Sequence, residues 1–270
     1  MEIRARSLGW AGVELSAGGA SILIDPLEDA GAVFAALGDA AATISKPEVV
    51  PPSQPEAAVA GLVTHLHRDH ADAAALAGGL APGAPVLEPG TGGGEALEEL
   101  ALAQADHELT AAGLERRRVA AWETAALGPF TVTALPAADG TGDPQVSWLV
   151  EAGGTRVVHL GDTLFHGWWW RIALRAGSID AVFAPINGAL LDFPHRQPPS
   201  ALPGVMDPEQ AGEAARLLGA RVAVPMHFGA YEGGPWYRPP ERPLERFVDA
   251  CTGGPEARPL APGETLAIGR

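Results

Sequence analysis

Ala57-Ala58-Val59-Ala60-Gly61-Leu62-Val63 runs directly into Thr64-His65-Leu66-His67-Arg68-Asp69-His70. The first half reads as a buried strand. The second half sets three imidazoles and one carboxylate among the six residues from 65 to 70. Neither an amphipathic helix nor a half-buried strand calls for such a cluster, whereas a centre holding two metal ions does. His65 and His67 lie two apart, so on extended backbone leaving a strand their side chains project the same way. Asp69 and His70 follow and can face a second point in space. Neutral imidazole with carboxylate suits a borderline or hard divalent ion such as Zn, Mn or Fe.

Outward from this stretch, three more strand ends offer ligands. Asp162 stands in Leu160-Gly161-Asp162-Thr163 after a strand at 156–160, where a carboxylate can bridge two ions. His227 stands in Pro225-Met226-His227-Phe228-Gly229 after a strand at 221–225. Asp139 stands in Pro136-Ala137-Ala138-Asp139-Gly140 after a strand at 130–135. Loops at strand ends are where chemistry is usually carried.

The rest of the chain supports a layered α/β fold. Residues 3–26 read as two strands joined by Ala17-Gly18-Gly19 and ending at Asp25-Pro26, and 28–54 as a loop or lid with a short helix. Helices are expected at 72–80, stopped by Gly78-Gly79, and at 95–104, with short strands at 85–87, 117–120, 146–151 and 179–184. Asp207-Pro208-Glu209-Gln210 has the cap, the first-turn proline and the third-position glutamine of a helix start, with Gly219 to close it. The glycine-rich 90–94 lacks the Lys-Ser/Thr of a phosphate loop. Strands in runs at both ends, with helices between, predict two sheets packed face to face with helices outside, in one domain spanning 1–270.

Composition narrows the function. The chain has 270 residues, 47% of them hydrophobic, and a formal net charge of −15, so it lacks the broad basic surface of a nucleic-acid binder. Cys251 is the only cysteine, which excludes an internal disulfide and a thiolate metal site. No segment approaches the ~20 apolar residues of a membrane span, and no apolar signal core follows Met1. The expectation is a soluble cytoplasmic protein.

The His-x-His-x-Asp-His spacing of 65–70 resembles the signature of the metallo-β-lactamase superfamily. Leu23-Ile24-Asp25-Pro26, Gly161-Asp162-Thr163 and Pro225-Met226-His227 fall in the order seen in its hydrolases. Within it, Pro185-Ile186-Asn187-Gly188 and Met206-Asp207-Pro208-Glu209 look most like the ascorbate-6-phosphate lactonase branch. The resemblance implies a four-layer αββα sandwich of two mixed sheets, with the metals at one edge between them. It implies site one from His65, His67 and Asp139, site two from Asp69, His70 and His227, and Asp162 bridging both. The chain departs from the pattern at Asp139, where relatives usually carry His. Asp139 makes the site harder, favouring Mn or Fe over Zn, or weakens site one, with Asp143 and His107 as fallback ligands. Trp10 stands where relatives often carry His, and is expected to shape the pocket wall and not the metals.

The leading expectation is therefore a hydrolase in which two divalent ions activate water against a small ester, lactone or phosphoester. Asp69 would also orient the nucleophile or carry a proton, and Asp25 would accept a hydrogen bond from a ligating histidine. Arg68 and Arg196 could meet an anionic small-molecule substrate. His166 and His195 are pocket candidates, and His159 is read as structural. Some of Trp168, Trp169 and Trp170 fill the core, with one left for the pocket or a homo-oligomer interface. Two alternatives stay open: a phosphodiesterase of small or lipid phosphodiesters, and a catalytically impaired metal-binding protein. A redox di-iron role is disfavoured because such relatives carry Glu where this chain has His67.

Overall fold

The computed structural model describes residues 2–33, 44–92, 96–193, 196–232 and 236–269. Strand β3 (Ala20–Ile24) shows how the layers arise. Ile22 and Ile24 point into one hydrophobic cluster while Leu23, between them, enters another, because successive side chains on a strand face opposite ways. A strand apolar on both faces must be covered on both.

The first sheet contains β1 (Ile3–Gly9), β2 (Gly12–Ala17), β3, β4 (Ala60–Leu62), β5 (Pro85–Glu88) and β6 (Glu115–Arg118) in chain order, with β16 (Thr265–Ile268) beyond β1. The second runs β15 (Glu256–Ala257), β13 (Ala220–Met226), β11 (Ile179–Pro185), β10 (Thr155–His159), β9 (Val146–Ala152), β8 (Phe130–Pro136), β7 (Thr124–Leu127). Both sheets mix parallel and antiparallel pairs. Leu15, Ile22 and Leu62 of the first meet Phe130, Val150 and Phe183 of the second in the central core. Helices α1 (Ala73–Gly79) and α2 (Ala96–Ala111) flank the first sheet, where Leu76 and Leu109 join Leu23. On the second, α3 (Trp169–Ala176), α4 (Pro208–Leu217) and α5 (Pro243–Ala250) set Ile172, Ala214 and Phe247 against Val158 and Val182. The result is the αββα sandwich. A two-stranded ribbon of β12 (Leu190–Leu191) and β14 (Tyr237–Arg238) lies apart from the two sheets. No helix among the described residues is long and apolar enough to cross a membrane.

Several boundaries differ from the sequence reading. Residues 3–26 form three strands, because the chain turns at Trp10-Ala11 as well as at Gly18-Gly19. Gly9 permits the first turn: its φ is +89°, and a Cβ there would lie 2.1 Å from the Glu48 carbonyl oxygen. Strand β7 and helix α3 were not expected, and α2 runs further than 104. Of the expected lid, 34–43 lies outside the described residues. Helix α4 starts as its sequence demands, with a capping box between Asp207 and Gln210.

Candidate metal centre

Topology brings the ligand loops to one place. Strands β3 and β4 run parallel, so Asp25 and Thr64 leave them at the same end. Strands β10, β11 and β13 are also parallel, so Asp162, Asn187 and His227 emerge together. The outcome is two clusters. His65, His67, Asp139 and Asp162 each place a ligand atom within 4.8 Å of the others, and so do Asp69, His70 and His227.

The outer partners decide which nitrogen of each imidazole faces inward. Fully buried Asp25 accepts the Thr64 amide N–H at 2.8 Å and the Thr64 hydroxyl at 2.5 Å. With that hydroxyl proton committed, Thr64 Oγ1 accepts from His65 Nδ1 at 3.0 Å. His70 Nδ1 donates to Asp25 Oδ2 at 2.8 Å, and His67 Nε2 donates to Asp143 Oδ2 at 3.0 Å. Asn187 Nδ2 donates to the Tyr237 hydroxyl at 2.6 Å and lies 2.6 Å from His227 Nδ1. The outer nitrogens of His65, His67 and His70 are thus committed as donors, so each of these rings, when neutral, turns its lone pair inward.

The inner nitrogens converge. His65 Nε2 and His67 Nδ1 are 2.9 Å apart, and His70 Nε2 and His227 Nε2 are 3.1 Å apart. Asp162 Oδ1 lies 3.4 Å from His65 Nε2, and Asp69 Oδ2 lies 3.3 Å from His227 Nε2. Neutral nitrogens facing one another at such distances repel unless a proton or a metal ion sits among them, and a donor set of this kind fits divalent ions. The charges around the rings agree. Burial disfavours a proton on His67, but the Asp143 hydrogen bond and the Asp139, Asp162 and Asp69 charges outweigh it and raise the ring to about 10. Burial opposes a proton on His70 too, yet Asp69 and Asp25 raise it to about 9. His65 and His227 are driven down, mainly by burial, His227 to about 4. Burial, together with the Asp139 charge, lifts Asp162 to about 7. The pocket therefore draws in positive charge.

Asp139 has a double engagement. Its Oδ1 accepts from the Thr141 amide at 2.6 Å, from the Asp143 amide at 3.2 Å, and from the Thr141 hydroxyl. That oxygen closes the turn, which leaves Oδ2 for a ligand role. Asp143 is not a ligand in either cluster; it orients His67. His107 is exposed on α2.

Trp10 does more than wall the pocket, contrary to the sequence reading. Its Nε1 donates to Asp69 Oδ2 at 2.9 Å, its carbonyl accepts from the His227 amide at 3.0 Å, and its ring lies 3.9 Å from the His227 ring. Trp10, Asp25 and His227 have φ of 50°, 44° and 57°. Left-handed backbone at a non-glycine costs on the order of 1 kcal/mol or more, and such residues gather at functional sites. His159 is structural: Nε2 donates to the Ala11 carbonyl at 2.8 Å and Nδ1 accepts from the Gly161 amide at 3.2 Å, linking the Trp10 turn to the Asp162 loop.

A cavity of about 240 Å³ opens over the centre. Arg68 lines it but donates to Glu108 at 2.8 Å. Arg196 lines a neighbouring cavity. His166 stacks on buried Trp169 with ring centres 4.0 Å apart, Trp168 and Trp170 are exposed, and none of the four lines the cavity over the centre. His195 lies outside the described residues. Sequence reasoning gave no role to Gln145, whose amide donates to Asp162 Oδ1 at 3.0 Å, nor to Asn187 as a partner of His227. Asn187 had a signal, its place at a strand end; Gln145 had none, because only the pairing of β9 with β10 brings it to Asp162.

Residues 20–228 match the family model described as the beta-lactamase superfamily domain. A UPF0173 metal-dependent hydrolase of Nitratidesulfovibrio vulgaris is 29% identical over 286 residues, covering 100% of this chain and 97% of that protein. Igni18, a metallo hydrolase from the archaeon Ignicoccus hospitalis, superposes with a TM-score of 0.68 at 18% identity, covering 100% of both chains. CmlA, a diiron beta-hydroxylase from Streptomyces venezuelae, superposes at 0.71 with 18% identity, covering 99% of this chain and 54% of its own. At such identities the two structures share the fold with this chain and nothing more specific.

Proposed function

The chain belongs to the beta-lactamase superfamily and is a metal-dependent hydrolase, and from that premise we propose that its two side-chain clusters form one dinuclear centre cleaving a small ester or lactone. The observation that carries this reading is the convergence of four imidazoles and three carboxylates in two clusters, with the outer nitrogens of His65, His67 and His70 committed to other partners. A bound divalent ion lowers the pKa of a coordinated water toward neutrality and polarises the scissile carbonyl. His65, His67 and Asp139 would hold one ion, Asp69, His70 and His227 the other, with Asp162 between them. Three carboxylates among seven ligands favour a harder ion, Mn or Fe, over Zn.

The chain's own groups do the rest. Gln145 fixes one oxygen of Asp162, and Trp10 fixes one oxygen of Asp69. Asp69, so held, can take the proton of the attacking water and pass it to the leaving oxygen. The apolar walls of the cavity exclude bulk water and orient the acyl group. A second reading, a metal binder without turnover, rests on Asp139, whose Oδ1 is taken up by its own turn.

The test is hydrolysis of p-nitrophenyl acetate by the metal-loaded protein and by Asp162→Ala. We expect measurable turnover that falls by more than about a hundredfold in the variant, beyond the usual cost of losing an outer-shell contact. Turnover that survives in Asp162→Ala would place the reaction elsewhere. No turnover in a fully loaded protein would favour the second reading.

A further inference from the structure

Resting on the hydrolase reading, we infer that the centre acts on an uncharged acyl compound carrying a compact apolar tail, and not on a phosphorylated or otherwise anionic one. Charge is the first argument. Two divalent ions set against the carboxylates of Asp69, Asp139 and Asp162 leave a single net positive charge. A neutral histidine in place of Asp139 would leave one more. The protein as a whole is acidic, at −15, so no long-range field draws an anion in.

Among the described residues, the cations near the cavity are Arg68 and Arg196. Arg68, the cation in its described wall, is bound to Glu108 at 2.8 Å. Arg196 lines the neighbouring cavity and not the one over the centre. With Arg68 held by Glu108 and Arg196 outside the cavity wall, neither is set to neutralise a phosphate over the centre.

The wall supplies the second argument. Trp10, Leu191, Phe193, Val205, Tyr231 and Tyr237 surround the opening. The polar atoms of its aromatic members are already engaged: Tyr231 donates to the Ala30 carbonyl at 3.1 Å, the Tyr237 hydroxyl lies 2.6 Å from the Asn187 amide, and Trp10 donates to Asp69. What these described wall residues offer a substrate is rings and methyl groups. An anion pressed against them loses its water without a replacement hydrogen bond, whereas an alkyl or aryl tail gains from burial. At about 240 Å³ the cavity holds roughly eight water-sized groups, enough for a short chain and too little for a long lipid.

The test separates this inference from the hydrolase reading by measuring binding. Acetohydroxamate, butyrohydroxamate and hexanohydroxamate are titrated into the metal-loaded protein by calorimetry, beside a hexanoyl analogue ending in a carboxylate. Affinity should rise about fourfold per methylene, and the terminal carboxylate should erase the gain. Phe193→Ser and Leu191→Ser should weaken hexanohydroxamate more than acetohydroxamate and so flatten the series. A flat series, tighter binding of the carboxylate-ended analogue, or no binding of any member would overturn the inference, even if p-nitrophenyl acetate is hydrolysed. A rising series without ester turnover would sustain the pocket assignment and sink the hydrolase reading instead.

Discussion

Trp10 Nε1 donates to Asp69 Oδ2 at 2.9 Å, joining two residues 59 positions apart. The bond sets which lone pairs of Asp69 remain for a metal, and it links the first turn of the chain to the histidine-rich motif. Trp10 also contacts His227 through its ring and its carbonyl, so one aromatic residue touches two of the three site-two candidates.

Trp10→Phe removes the N–H and keeps most of the ring against His227 and Tyr231. The expected outcome is a folded protein whose second metal binds about tenfold more weakly, as for other outer-shell losses. Competition with a graded chelator measures this. Unchanged affinity for both ions would show that Asp69 is positioned without Trp10.

Asp139→Asn separates the two tasks of Asp139. The carboxamide oxygen can still accept from the Thr141 and Asp143 amides, so the turn stays closed. Its second atom is an NH2 group and cannot ligate. We expect a melting temperature within a few degrees of the parent and one metal per chain in place of two, read by native mass spectrometry. Two metals retained would remove Asp139 from the ligand set.

Asp25→Ala strips the acceptor from three buried donors: the Thr64 amide, the Thr64 hydroxyl and His70 Nδ1. Each buried donor left unsatisfied costs about 1–3 kcal/mol, and alanine at φ 44° adds strain. Chemical denaturation should show a loss of more than about 3 kcal/mol on this arithmetic. A loss under about 1 kcal/mol would mean that water reaches the pocket and replaces the carboxylate.

Metal loading should release protons. In the metal-free protein His67 titrates near 10 and His70 near 9, so both rings are charged at pH 7.5. Ligation needs them neutral, so filling both sites should expel about two protons per chain, and affinity should climb with pH up to that range. Calorimetry in two buffers of different ionisation enthalpy counts the protons; fewer than one would contradict the assignment. The sign for folding is the opposite. Both folded values lie above the ordinary 6.5 of histidine, so their contribution to metal-free stability is full below 6.5 and fades as pH rises through 9 to 10.

The fold was legible where local pattern and burial agree. The strand run into Thr64, the strand that ends at Asp25-Pro26 and the Asp207 helix start are such places, because pleat and cap chemistry are local. Helix α3 buries Trp169, Ile172 and Ala176 along one face, yet the adjacent exposed Trp168 and Trp170 mask that period. Strand β7 is half-exposed and alanine-rich, and it is held by pairing with β8 and not by its own residues.

The chain itself determined which side chains can ligate: three histidines and an aspartate crowd into 65–70 because one loop leaving one strand can present them all, and Asp162 and His227 announce themselves at strand ends. Tertiary structure alone decided how those groups are held. His70 meets Asp25 across 45 positions, His67 meets Asp143 across 76, and His70 meets His227 across 157. The order of strands in two sheets sets such contacts, and no spacing in the sequence encodes them. For the same reason Trp10, Gln145 and the Arg68–Glu108 pair took on their parts only once the sheets had closed, since a hydrogen bond between distant residues follows from packing geometry and not from residue type.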